Sequence, residues 1–213
     1  MGSIREGVFG GFSGKVGNLV GSHWKSVDYM RTLPKPSTKA ATEKQQVQRA
    51  RFALAVKFAR PISSLLDVGY RQQDSAMSGY NASVRQILKE AITGTYPDLQ
   101  LDYSKIRISE GTLTGIANGK AVSTTPGSLQ ISWTDNTGDE GARSDDELAM
   151  LIVNPDKGTA LFKSAAALRS TGTLTEVVPD TFSSDEVEVF AFFVGANGKE
   201  VSDSLYLGKQ TIY

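Results

Sequence analysis

Three features of this 213-residue chain have residue types that could do chemistry: Gly14 followed by Lys15, a single histidine at position 23, and a run of carboxylates between Asp135 and Glu147. A phosphate-binding loop needs a glycine five residues before the Gly-Lys pair, so that backbone amides can cradle the phosphates, and a Ser or Thr after the lysine. Those positions hold Phe9 and Val16, and no glycine spacing gives a G-x-G-x-x-G fingerprint opening a helix, so nucleotide binding is not expected here. His23 would have to serve as the base of a triad, yet it stands beside Trp24 with no nucleophile motif nearby; it reads as a packed or solvent-facing imidazole. With no cysteine there is no thiolate nucleophile, no disulfide framework and no sulfur-ligated zinc.

The carboxylates Asp135, Asp139, Glu140, Asp145, Asp146 and Glu147 offer hard oxygen ligands for calcium, but they depart from the D-x-[DN]-x-[DN]-G loop and read as residues that keep a turn solvated. Glu186 and Glu188 share one face of a strand. Such a pair could hydrolyse a glycoside, but the alternating Val187, Val189 and Ala191 make theirs the solvated face. Asn81-Ala82-Ser83 is a glycosylation acceptor only in a secretory setting. No catalytic residue, cofactor site, metal site or small-molecule substrate is expected.

Charge is more informative than motif. The net charge is zero, but residues 1–57 carry ten Lys/Arg against three Asp/Glu, and the remainder carries thirteen against twenty. A basic patch of Arg31, Lys35, Lys39, Lys44, Arg49, Arg51, Lys57 and Arg60, with Trp24 and Tyr29 nearby, could track a phosphate backbone. It could equally meet the acidic part of another copy head to tail, or form a solvated helix face. Within it Arg31, Lys35, Arg49 and Arg51 are the residues on which nucleic-acid binding would rest. A carbohydrate-binding module is a third reading, with Tyr206, Phe190 and Phe192 as its aromatic platform.

The elements that must position these residues begin with residues 2–34, where seven of the first 21 residues are glycine and Val, Leu, Ile and Phe stand between them. This is too apolar for a linker and too glycine-rich to fold alone. It reads as an arm that lies against another surface, with Phe9, Phe12, Val16, Leu19 and Trp24 as its docking side chains. Residues 19–24 and 27–33 read as a hairpin around Lys25-Ser26, and Pro34-Lys35-Pro36 as an extended connector. Thr42 and Gln45 form a capping box that predicts a helix from Glu43, kinked or ended at Pro61, with the apolar pattern continuing to Gly69. A second helix is predicted from about Ser75 to Thr93. Two such helices cover each other only partly and need a sheet or a partner.

From Leu99 the period changes to two, with turn signals at Asn118-Gly119, Pro126-Gly127, Asn136 to Gly138, Asn154 to Gly158 and Asn197-Gly198. Seven or eight short strands in this stretch indicate an antiparallel sandwich of immunoglobulin or fibronectin type, with Trp133 in its core. The expected class is α+β, with a β-arm and helical region over 1–98 and the sandwich over 99–213.

The blocks GVFGGFSGKVGNLVGSHW, YMRTLPKPS, QRARF, MSGYNASV, AITGTYPDLQLDYSKIRISEGTL, SWTDN, LIVNP and GKEVSDSLYLG together resemble an uncharacterised family of about this length, found in Bacteroidota and known as a domain of unknown function. The resemblance covers the whole chain and implies that arm, helices and sandwich form one unit. It brings no site residue with it. In this chain Lys25-Ser26 replaces the family's usual basic residue followed by glycine in the first hairpin. No run of 18 apolar residues and no leader-like segment is present, so a cytoplasmic protein, or one released in a virion or other assembly, is expected. The function expected is that of a non-enzymatic, self-assembling structural protein, a homo-oligomer of particle, filament or phage-like type.

Overall fold

The computed structural model describes residues 3–4, 11–24, 27–35, 40–73 and 77–213. The chain forms two compact units, residues 1–42 and 43–213. No helix among the described residues is long and apolar enough to cross a membrane.

The first unit is an antiparallel meander of β1 (Ser3–Ile4), β2 (Phe12–Val16), β3 (Leu19–Trp24) and β4 (Val27–Thr32), in that spatial order. Gly17-Asn18 joins β2 to β3, with Val16 opposite Leu19. Gly17 has φ 58°, a positive first turn position that suits the twist of a two-residue hairpin. Trp24 faces Val27 across the second hairpin, as the alternation there predicts, while the Lys25-Ser26 turn lies outside the described residues.

The second unit opens with α1 (Glu43–Ala59), which starts at the predicted cap; its first turn carries Glu43 and its last Lys57, each suited to the helix dipole. Pro61 tightens the chain into a 3-10 turn, Arg60–Ile62, ahead of α2 (Ser63–Gly69). Helix α3 (Gly79–Gln86) begins where the Ser78 hydroxyl accepts a 3.3 Å hydrogen bond from the Asn81 amide, and runs on as a π-helical turn, Ile87–Ala91. The predicted start at Ser75 lies outside the described residues. Short strands β5 (Ile92–Thr93) and β6 (Gln100–Leu101) lead into the sandwich.

The remaining strands are β7 (Ala117–Val122), β8 (Ser128–Thr134), β9 (Glu147–Asn154), β10 (Thr159–Leu168), β11 (Thr173–Val177), β12 (Glu186–Val194) and β13 (Leu205–Thr211). They form a four-stranded sheet in the order β10-β9-β12-β13 and a three-stranded sheet in the order β11-β8-β7. This is the α+β class and the fibronectin-like sandwich that the alternation predicts.

The placement of the helices departs from expectation. Leu148, Met150, Ile152, Val187, Val189 and Phe193 pack against Leu129, Ile131 and Trp133 of the other sheet. Their neighbours Ala149, Leu151, Val153, Phe190 and Phe192 pack against Phe58, Ile62, Leu65, Leu66 and Ile87 of the helical segments. The four-stranded sheet is therefore the middle of three layers and is buried on both faces. The expected division between residues 98 and 99 is not where the compact units part; they part between Thr42 and Glu43. The physical signal was present in β9 and β12, whose apolar runs are continuous because both faces are covered.

Two local expectations also change. Asn118-Gly119 is not a turn but lies inside β7, where Asn118 at φ 52° makes a bulge opposite β8. Ile106 and Ile108 are buried as expected, but follow a 3-10 turn, Tyr103–Lys105, instead of forming a strand.

The sandwich is closed at one end by a fully buried ion pair. Arg169 Nε meets Asp146 Oδ2 at 3.0 Å with both side chains fully buried. Its remaining donors reach the Asn136 Oδ1 at 2.6 Å and the Thr114 carbonyl at 2.8 Å, and its guanidinium stacks 3.8 Å from the Phe193 ring centre. Trp133 Nε1 donates to the Arg169 carbonyl at 2.7 Å.

Removing one partner of such a pair strands the other charge, so Arg169→Met or Asp146→Leu alone is expected to lower urea unfolding free energy by about 3–5 kcal/mol, and the double variant by clearly less than the sum. Equal, additive losses would show that the pair acts as two independent groups. Because helices and sandwich share the middle sheet, Phe58→Ala is expected to cost about 3–5 kcal/mol. In a Trp24→Phe background, the helical circular dichroism and Trp133 fluorescence transitions should shift together. Separate transitions would restore an independent helical domain. Asp185 accepts from Lys157 Nζ at 2.5 Å and from Asn154 Nδ2 at 2.6 Å, and the lysine holds its carboxyl below the ordinary value. A depressed pKa adds stability above the unfolded-state value and loses it as pH falls, so below about pH 4 the thermal midpoint should fall more steeply for the native chain than for Asp185→Asn.

Candidate assembly surface

Cross-strand partners share a sheet face, so the pairing of β2, β3 and β4 sorts their side chains into two sets. Phe12, Val16, Leu19, His23, Asp28 and Met30 lie on one face, and Lys15, Val20, Trp24, Val27, Tyr29 and Arg31 on the other. The first face is shaped by Gly21, where a Cβ would overlap the carbonyl and ring of Phe12; the glycine lets the Phe12 ring settle on the sheet. Both faces carry exposed apolar side chains. Val16, Leu19, Trp24, Val27, Tyr29 and Met30 are all exposed, Met30 to 66% and Trp24 to 59%.

The arm residues singled out from sequence are thus split. Phe12, Val16 and Leu19 share a face, with Phe12 half-buried; Trp24 lies on the opposite face; Phe9 lies outside the described residues. Sequence reasoning did not count Val27, Tyr29 and Met30 on β4 among the docking side chains. Their signal was an apolar residue on both parities of one short strand, which leaves neither side polar.

The basic patch is divided between the two units: Arg31 and Lys35 are exposed in the first, Arg49 and Arg51 lie on α1 in the second, and Lys39 lies outside the described residues. Arg51 is occupied structurally. Its Nη2 donates to the Leu88 carbonyl at 2.8 Å, inside the π-helical turn.

Elsewhere the chemical candidates resolve into structural contacts. Lys15 lies in β2, followed by a hairpin and not a helix N-terminus. His23 Nδ1 pairs with Asp28 Oδ1 at 2.7 Å on the exposed sheet. In the acidic run, Asp146 belongs to the buried Arg169 pair, Asp145 meets Arg143 at 3.4 Å, and Asp135 accepts from the Thr137 amide at 3.0 Å. Among the described residues no group of three or more His, Cys, Asp or Glu is placed to hold a metal.

Glu188 is a correction. Its face of β12 is not solvated but turned to the helical layer; Glu188 is buried and accepts a hydrogen bond from the Tyr206 hydroxyl, while Glu186 remains exposed and meets Lys209 at 3.0 Å. Of the aromatics named for the carbohydrate reading, Phe190 and Phe192 are fully buried, while Tyr206 is partly buried and packs on Phe190.

One groove of about 400 Å³ opens between α1, β6 and the β9–β10 turn, lined by Leu54, Phe58, Leu101 and Tyr103 with Lys57 and Asp156 as its charged groups. Burial, with Glu188 and Asp156 nearby, pushes the Tyr103 hydroxyl up to about 12, so it stays a neutral donor there. No sequence motif marks this groove, because its lining comes from three separate stretches of chain.

No curated protein matches the chain. Among solved structures, the fn3 domain of the human collagen alpha-1(XX) chain matches with a TM-score of 0.36 at 22% identity, over 49% of this chain and 91% of that one. The model of a family of unknown function, DUF6266, matches residues 11–208, nearly the whole chain, and the protein belongs to that family.

Proposed function

We propose that this chain is a non-enzymatic, self-assembling structural protein, and that residues 1–42 dock onto neighbouring copies in a particle, filament or phage-like assembly. The observation that carries this reading is the first unit's sheet, which exposes apolar side chains on both faces. An isolated sheet of four short strands gains its stability by covering at least one face. A second copy is the covering surface that the charge distribution favours. Residues 1–42 hold six Lys/Arg against two Asp/Glu, and residues 43–213 hold seventeen against twenty-one, so each unit attracts the other's counterpart on a neighbouring molecule.

Multi-angle light scattering across a concentration series tests this. The full chain is expected to exceed the monomer mass, a chain starting at Pro34 to remain monomeric, and the full-length assembly to shrink as salt screens the charge attraction. A full chain that stays monomeric at high concentration overturns the reading.

A further inference from the structure

Building on the arm-docking reading, we propose a contact separate from the charge attraction between arm and body: β4 pairs antiparallel with β4 of a second copy, across a two-fold axis centred on Met30. Strand β4 is the outer strand of its sheet among the described residues, and all six of its residues are exposed. It has neither the proline nor the lysine that most often protects an edge; its charged residues are Asp28 and Arg31.

Symmetry limits how two copies can meet. A two-fold axis perpendicular to the sheet keeps each face on its own side, and side chains alternate along a strand, so the axis must pass a residue facing its own copy. Centring on Asp28 or Arg31 sets like charges opposite each other. Tyr29 and Met30 remain as centres that use most of the strand.

Backbone hydrogen bonds choose between them. The Leu33 amide donates to the Asn18 carbonyl at 2.8 Å, on the β3 side. Alternate residues of a strand turn their N–H and C=O to opposite edges, so Val27, Tyr29 and Arg31 point toward β3, and Asp28, Met30 and Thr32 point outward. With Met30 at the axis, every outward residue of β4 finds an outward partner: Met30 its own copy, Asp28 the Thr32 of the second copy, and Thr32 its Asp28. With Tyr29 at the axis, Thr32 would have to pair beyond the end of β4.

The side chains agree with that register. Tyr29 falls opposite Arg31 of the second copy, on the face where a guanidinium can stack on the ring. Val27 falls opposite Leu33 of the second copy, both exposed in the single chain. The result is an eight-stranded sheet running through two molecules, with β4 no longer an edge.

The absence of cysteine makes the test clean. Directly opposed residues of a hydrogen-bonded pair have Cα atoms about 5.5 Å apart, within the roughly 4.4–6.8 Å span of a disulfide. Under mild oxidation Met30→Cys is expected to give a covalent dimer that dithiothreitol reverses. Tyr29→Cys is expected to stay uncrosslinked, because its copies would lie about 8 Å apart, and Met30→Lys to shift the assembled chain toward smaller species by setting like charges face to face. Crosslinking through Tyr29→Cys in place of Met30→Cys overturns the register. If neither variant crosslinks while the native chain still exceeds monomer mass, or if Met30→Lys leaves the mass unchanged, β4 pairing is overturned and arm docking by another surface stands. A monomeric native chain with no crosslink removes both.

Discussion

The buried contact between Arg169 and Asp146 is the constraint on which the sandwich depends. A guanidinium withdrawn from water is tolerable only when its donors are met and its charge is opposed. Here the partners come from separate places along the chain: Asp146 just before β9, Asn136 after β8, Thr114 before β7, and Phe193 on β12, whose ring lies beneath the guanidinium. The Arg169 amide also donates to the Asp146 carbonyl at 2.7 Å, and Trp133 returns a bond to the Arg169 carbonyl. One side chain thereby holds both sheets and three loops in register. A second ion pair, Lys163 to Glu176 at 2.7 Å, ties β10 of one sheet to β11 of the other.

Much of this architecture was legible in the residues. The helix start at Glu43, the break at Pro61, the pairing of Leu19–Trp24 with Val27–Thr32 and the alternation of β8 are local signals with local causes, and each appears where it points. What was not legible required knowing what lies across space. The runs Leu148 to Val153 and Val187 to Val194 carry no alternation because helices cover one face and β8 the other, and only the assembled layers show it. Asp146 reads as one more carboxylate in a solvated turn until Arg169, 23 residues on, is seen beside it. Glu188 fails the alternation rule for the same reason: Tyr206 supplies a partly buried hydroxyl that no spacing announces.

The two units also differ in how their apolar residues are spent. In residues 43–213, Phe, Ile and Leu are concentrated in two cores on either side of one sheet. In residues 1–42, side chains of similar size stand on both faces of a thin sheet in contact with solvent. The glycines explain part of this, since Gly21 brings Phe12 onto the sheet but adds no bulk of its own.

The three-layer arrangement has a consequence for how the chain is made. The helical face formed by Phe58, Ile62, Leu65, Leu66 and Ile87 is synthesised well before Leu151, Phe190 and Phe192, the strand residues that cover it. During synthesis from the N-terminus, an apolar helical surface is therefore complete while its sheet is still unmade, and it waits on contacts of high sequence separation. The stage at which this protein is most exposed to aggregation, and most in need of a chaperone, is the interval between completion of α3 and arrival of β12.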